Sequence, residues 1–115
     1  MGSILISIKK MLGITEEQNQ FDTDIIIHIN TALMVLTQLG VGPSNGFAII
    51  DDSAVWTDFV SDIERIEAIK TYVYLKVRLI FDPPQSAAAI ESCTKMISEL
   101  EWRINVVAET KTEEV

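Results

Sequence analysis

One histidine, one cysteine and 17 carboxylates are the side chains of this 115-residue chain best suited to acid–base, nucleophilic or metal chemistry. His28 falls at the edge of an apolar helical stripe beside Val35, where a boundary histidine with a structural role is expected ahead of a catalytic base. One His and one Cys without ligand spacing assemble neither a metal cluster nor a Cys–His nucleophile. Gly40-x-Gly42-x-x-x-Gly46 superficially suggests a phosphate loop. It follows a helix instead of a strand, has the wrong spacing and lacks the Gly-Lys-Ser/Thr ending. Asp51, Asp52, Asp58 and Asp62 cluster locally, yet their spacing does not fit a calcium loop, so a solvated surface with helix-capping duties is expected. Nothing singles out a carboxylate pair for acid–base work. No catalytic residue, cofactor or metal site is expected, and the chain reads as non-enzymatic.

The elements that would have to position any site are organised around Ser61 to Gln85. Ser61-x-x-Glu64 is a capping box that satisfies the free amides of a first helical turn. Asp82-Pro83-Pro84 ends the helix, since neither proline donates an amide and Pro83 moves Asp82 out of helical geometry. The intervening residues carry two apolar stripes at spacings of three and four. Ile63, Ile66, Ile69, Val73, Val77 and Ile80 form the wide one. Ala68, Tyr72, Leu75 and Leu79 form the second, which packs either on another helix of the same chain or on another subunit.

Around this rod the pattern predicts four further elements. Ser3 to Leu12 reads as a short amphipathic helix with Leu5, Ile8, Met11 and Leu12 on one face, capped by Ser3 and stopped at Gly13. Thr15 to Gln18 has the pattern of another capping box, in a segment too short to assign. A helix from about Asp22 to Leu39 has Asp22 as N-cap and Ile25, Ile29, Ala32, Leu33, Leu36 and Leu39 inward, with Gly40 as the stop. Ile27 and Met34 lie on its opposite face, as ordinary surface or as part of an interface. Residues 41–50 form an irregular or hairpin insert around the turn Pro43-Ser44-Asn45-Gly46. Its apolar flanks, Phe47 and Ile49 among them, pack on the helices or present a contact surface. Ser53 caps a short helix bearing Val55, Trp56, Phe59 and Val60. Ser86 caps a last helix to about Ala108, with Ile90, Cys93, Ile97, Leu100, Ile104 and Val107 inward and Cys93 buried. Trp102, with Val106 one turn later, projects from its polar side and reads as a partner anchor. The expected fold is all-α, a small bundle of four to five helices. It forms a single domain over residues 1–108, followed by an acidic flexible tail over 109–115.

Totals bound the partners. The charge of −8, from 17 acidic and 9 basic residues, leaves no basic stripe to neutralise a run of phosphates. The single cysteine excludes an internal disulfide and suits a reducing cytosol. Lys9 and Lys10 follow the opening apolar residues instead of preceding them, so no signal peptide is expected, and no apolar run approaches the roughly 20 residues of a membrane span. The 48% apolar content is high for a chain of this length, and self-association is the economical explanation.

GVGP (Gly40–Pro43), GFAI (Gly46–Ile49), WTDF (Trp56–Phe59), KTYVYLKVRLIFDPPQS (Lys70–Ser86), EWR (Glu101–Arg103) and the opening IKKMLGI (Ile8–Ile14) together resemble the tailed-phage head–tail connector family. These small helical proteins are also called head completion or neck adaptor proteins. The resemblance covers almost the whole chain, and the YVYLKVRLIFDPPQS run is its most specific part. It implies a virion-neck protein that passes through the host cytoplasm and forms a homo-oligomeric ring under the portal. The ring would extend the DNA channel, with DNA only as passenger, and dock the next neck or tail completion protein. No membrane, cofactor or catalytic residue is implied. Within that picture Ala68, Tyr72, Leu75, Leu79, Ile27 and Met34 are candidates for subunit contacts. Trp102 and Val106 are candidates for portal docking, and Phe47 and Ile49 for the tail side. An acidic channel wall would repel DNA phosphates and let the genome slide. Two other classes fit the same helices: a non-viral scaffolding or regulatory module, and a DNA-binding small terminase subunit, against which the missing basic patch counts.

Overall fold

A computed structural model describes residues 2–61 and 63–113, with the side chains of residues 63, 64 and 107–113 outside that description. Its helices are α1 (Ile4–Met11), α2 (Asp22–Gln38), α3 (Trp56–Phe59), α4 (Ile63–Phe81) and α5 (Ala87–Glu113). No strand forms among the described residues, and the one β-bridge pairs Ser3 with Val55. The fold is therefore a small all-α bundle. In the expected capping box of Ser61 and Glu64 the Glu64 side chain lies outside the description, as do the side chains around the expected domain boundary at Ala108. The backbone of α5 continues to Glu113, five residues past its expected end.

Several helix ends follow from local chemistry. Ser3 Oγ accepts from the Ile6 amide at 3.3 Å, and Ser86 Oγ accepts from the Ala89 amide at 3.0 Å. At the end of α2, Gly40 adopts φ 93°, its amide donates to Thr37 O and the Val41 amide donates to Leu36 O, both at 3.0 Å. That is a Schellman closure, and Val41 is drawn into the core beside Leu36. Gly13 ends α1 with the same two bonds.

Other starts differ from expectation. Asp22 does not cap α2. It is the first helical residue, and its carboxylate lies 2.9 Å from Lys9 Nζ. Lys9 is only 2% exposed, and a desolvated ammonium demands a counter-ion more strongly than a helix end demands a cap. Lys9 also donates to Glu16 O at 3.2 Å, so one buried charge ties the 13–21 segment to α1 and α2. This rotates α1: Ile4, Leu5, Ile8 and Lys9 face inward, and Met11, expected inside, is exposed. Ser53 does not cap α3 either. Its amide and hydroxyl donate to Asp51 Oδ1, while Asp58 Oδ2 accepts from the Val55 amide at 2.9 Å to begin that helix. Thr15 and Gln18 form a closed turn without a helix, the Thr15 amide donating to Gln18 Oε1 at 3.0 Å.

α4 is the centre. Its wide stripe, through Ile66, Ile69, Val73 and Val77, is fully buried and packs chiefly on α2, with α1 beyond. Its second stripe packs on α5. Ile80 departs from the wide stripe and is 60% exposed, because the last turn of α4 makes its contact through the next residue: Phe81 meets Phe21 edge to face, centroids 5.4 Å apart. Trp56 closes the far side of the core, fully buried, its indole N–H donating to Ser7 Oγ at 3.2 Å. The result is a flattened body with extents of 44 × 35 × 21 Å.

Candidate interaction surfaces

Among the described residues, which leave out Asp62 of the expected acidic cluster, the ionisable side chains do not converge. His28 is half-buried and lines a shallow depression with Phe21, Asp24, Ile80 and Asp82. Cys93, expected to be buried, is partly buried on α5 and packs against the core. Asp51 and Asp58 are engaged in the turn bonds described above, and the two bonds from Ser53 hold the exposed Asp51 carboxyl below the usual carboxylate range. Among the described residues, no group of three or more His, Cys, Asp or Glu side chains is placed to hold a metal ion. No helix there is long and apolar enough to cross a membrane.

The second stripe of α4 is core. Tyr72 is fully buried and Leu75 nearly so, while Ala68 and Leu79 are half-buried. α5 of the same chain covers them, and the Tyr72 hydroxyl donates to Glu101 Oε2 at 2.6 Å. Burial first, and then this carboxylate, raise the Tyr72 phenol well above its ordinary pKa. Of these four candidates for subunit contact, Tyr72 and Leu75 therefore present no free surface in the folded monomer. Ala68 lines a groove between α4 and α5 together with Met96, Leu100 and Arg103.

Ile27 and Met34 stand out from α2, 56% and 53% exposed. Phe47 is half-buried against Phe59, ring centroids 5.3 Å apart, and still lines a depression with Met34, Gln38 and Asn45. Ile49 is buried and presents nothing outward. Its backbone is clasped by Asn30, whose side-chain oxygen accepts from the Ile49 amide at 2.8 Å and whose side-chain nitrogen donates to Ile49 O at 3.0 Å. That clasp replaces the alternative hairpin with an irregular segment folded on α2. Trp102 is 67% exposed, with Val106 on the same side of α5. The structure thus brings Met34 and Phe47 into one depression and leaves Trp102 on a separate helix.

Two features complete this surface. Ile50, one of the apolar flanks of the 41–50 insert, is 86% exposed, the most outward of the large apolar side chains among the described residues. In addition, residues 25–50 contain no Asp, Glu, Lys or Arg, although such residues make up 23% of the chain. The long gap between Asp24 and Asp51 is the signal that marks this surface, because a solvated helix face ordinarily carries charge.

In comparison with known proteins, residues 4–111 match the model of a family described as phage connector protein. No curated protein and no solved structure matches the chain.

Proposed function

The chain belongs to the phage connector protein family, and from that premise we propose that it is a head–tail connector of the virion neck, assembling as a ring beneath the portal. The ring extends the channel through which DNA passes and offers its opposite rim to the next neck or tail protein. The family match across nearly the whole chain carries this reading. The flattened body supports it, with apolar side chains left outward on α2, on α5 and at Ile50. The irregular segment with Phe47 and Ile50 is the candidate for the tail-side contact. The C-terminal end of α5 is the candidate for the portal-side contact.

Mass by light scattering, with and without the portal protein from the same genome, tests the reading. A discrete ring, or a monomer recruited to the portal in fixed ratio, is expected. A monomer indifferent to the portal would overturn it.

A further inference from the structure

α4 holds α2 on one face and α5 on another, α5 meets the C-terminal end of α2 where the Asn105 side-chain nitrogen donates to Leu39 O at 3.3 Å, and each of the two helices keeps a solvent face. Their chemistries differ. The α2 edge presents Ile27 and Met34, flanked by Thr31 and Gln38, and beyond Asp24 in its first turn carries no charged side chain. The α5 edge presents Trp102 beside two ion pairs within the helix, Lys95 3.4 Å from Glu91 and Arg103 2.8 Å from Glu99, while the Glu101 carboxylate accepts from Tyr72.

Two copies of a chain with a net charge of −8 repel each other. They meet at least cost where one surface is uncharged and the other is balanced. An indole also needs apolar cover and an acceptor for its one N–H. The depression beside Met34 supplies both, with Phe47 for the ring and the amide oxygens of Gln38 and Asn45 for the proton. Two further depressions fit less well: one is lined by Asp24 and Asp82 and the other by Glu67, Glu99 and Arg103, charged groups that a seated indole would desolvate.

We propose that copies of this chain join edge to edge, with Trp102 on α5 of one copy seated on the Met34 face of α2 in the next. The inference rests on the connector reading and specifies which surfaces make its subunit contact. Because two different surfaces meet, each copy leaves one edge open, and the contact repeats until the rotation closes it. Trp102 thereby moves from portal docking, and Phe47 from the tail side, to the contact between copies, which leaves Ile50 for the tail side.

Site-directed cross-linking tests this in a Cys93→Ser background, alone and with the portal protein. Chains carrying Thr31→Cys are mixed with size-tagged chains carrying Ser98→Cys, exposed positions within one turn of Met34 and Trp102 that leave both in place. They are treated with a thiol cross-linker of about 10 Å reach, the axis-to-axis spacing of packed helices. The expected product is the mixed dimer, with homodimers of either chain absent, and a ladder of multimers from the doubly substituted chain. Trp102→Ala should weaken self-association roughly thirty-fold or more, as a central anchor does. Assembled particles that give dimers linked between two copies of position 31, link position 31 to the portal, or give no mixed dimer would overturn the inference and leave the connector reading intact. An assembled ring that survives Trp102→Ala but no longer binds portal would also overturn it. Failure to assemble under either condition would overturn both.

Discussion

Asn30, in the middle of α2, holds Ile49 by both hydrogen-bonding groups of its side-chain amide, at 2.8 and 3.0 Å. An asparagine here does what a neighbouring strand would do in a sheet. It satisfies the buried backbone of an irregular segment and fixes where that segment runs.

Asn30→Ala should therefore cost about 1–3 kcal/mol, the range for leaving buried backbone groups unpaired. The accompanying signature is local. Amide exchange at Ile49 should quicken far more than exchange in α4, as measured by hydrogen-exchange NMR. Uniform acceleration across the chain would mean that the clasp is not what orders the segment.

The burial of Tyr72, together with its bond to Glu101, gives the stability curve an alkaline edge. The phenol's pKa is raised in the folded chain above its ordinary value of about 10. Above that pH the unfolded chain releases this proton while the folded chain keeps it, so stability is complete below about pH 10 and falls as pH rises further. Tyr72→Phe should cost about 1–2 kcal/mol near neutrality and flatten this alkaline decline. Urea unfolding at pH 8 and above pH 10 measures both effects, and an unchanged alkaline slope would remove Tyr72 as its source.

The parts of this fold that were legible in the sequence depend on neighbours within about four residues. Ser3, Gly13, Gly40 and Ser86 act on their own helix ends, and each does so as its type dictates. The α2 stripe and the wide stripe of α4 likewise follow helical period, as far as Val77. What could not be read depends on approach through space. A lysine on a short helix reads as solvated, and only the arrival of Asp22 and the Glu16 carbonyl makes Lys9 a core residue. Tyr72 and Leu75 read as an apolar stripe, but periodicity does not say whose helix covers it. The outward candidates Ile27, Met34 and Trp102 were legible because their apolar types stand at polar-face positions. Ile50 sits in a segment without periodicity, where no such contrast exists.

Lys9 and Asp22 should behave as a pair. Lys9→Ala strands the Asp22 carboxylate and leaves a cavity, and a loss of about 2–4 kcal/mol is expected, less than for a fully buried pair because Asp22 keeps some water contact. Lys9→Met fills the space without charge and should cost less, and combining it with Asp22→Asn should recover part of the remaining loss. Chemical denaturation of the four-member cycle checks this, and additive effects would show that the two side chains are uncoupled.

Gly42 should tolerate no side chain. It adopts φ 79°, and a Cβ there would lie 2.5 Å from the ring of Phe59, itself buried against Phe47. Gly42→Ala combines left-handed strain with displacement of that ring, about 2–3 kcal/mol together, or a melting temperature lower by roughly 10 °C. Gly46→Ala, with φ 94° and no atom within 4 Å of the added carbon, isolates the strain and should cost only about 1–2 kcal/mol. Equal losses in the two variants would mean that Phe59 yields freely.

Leu75 and Met34 separate core from contact surface. Both were candidates for meeting another subunit, but Leu75 lies beneath α5 and Met34 stands in solvent. Leu75→Ala should destabilise the isolated chain by about 2–4 kcal/mol through lost burial and a residual cavity, at any protein concentration. Met34→Ala should change the dilute monomer by no more than about 0.5 kcal/mol, as surface substitutions do, and act instead on self-association. Thermal unfolding across a hundred-fold dilution, paired with light scattering, distinguishes them. If Leu75→Ala left the dilute monomer's stability intact, the packing of α5 on α4 described above would be wrong. If Met34→Ala proved as destabilising as Leu75→Ala in the dilute monomer, the face it occupies would be core and could not receive a neighbour.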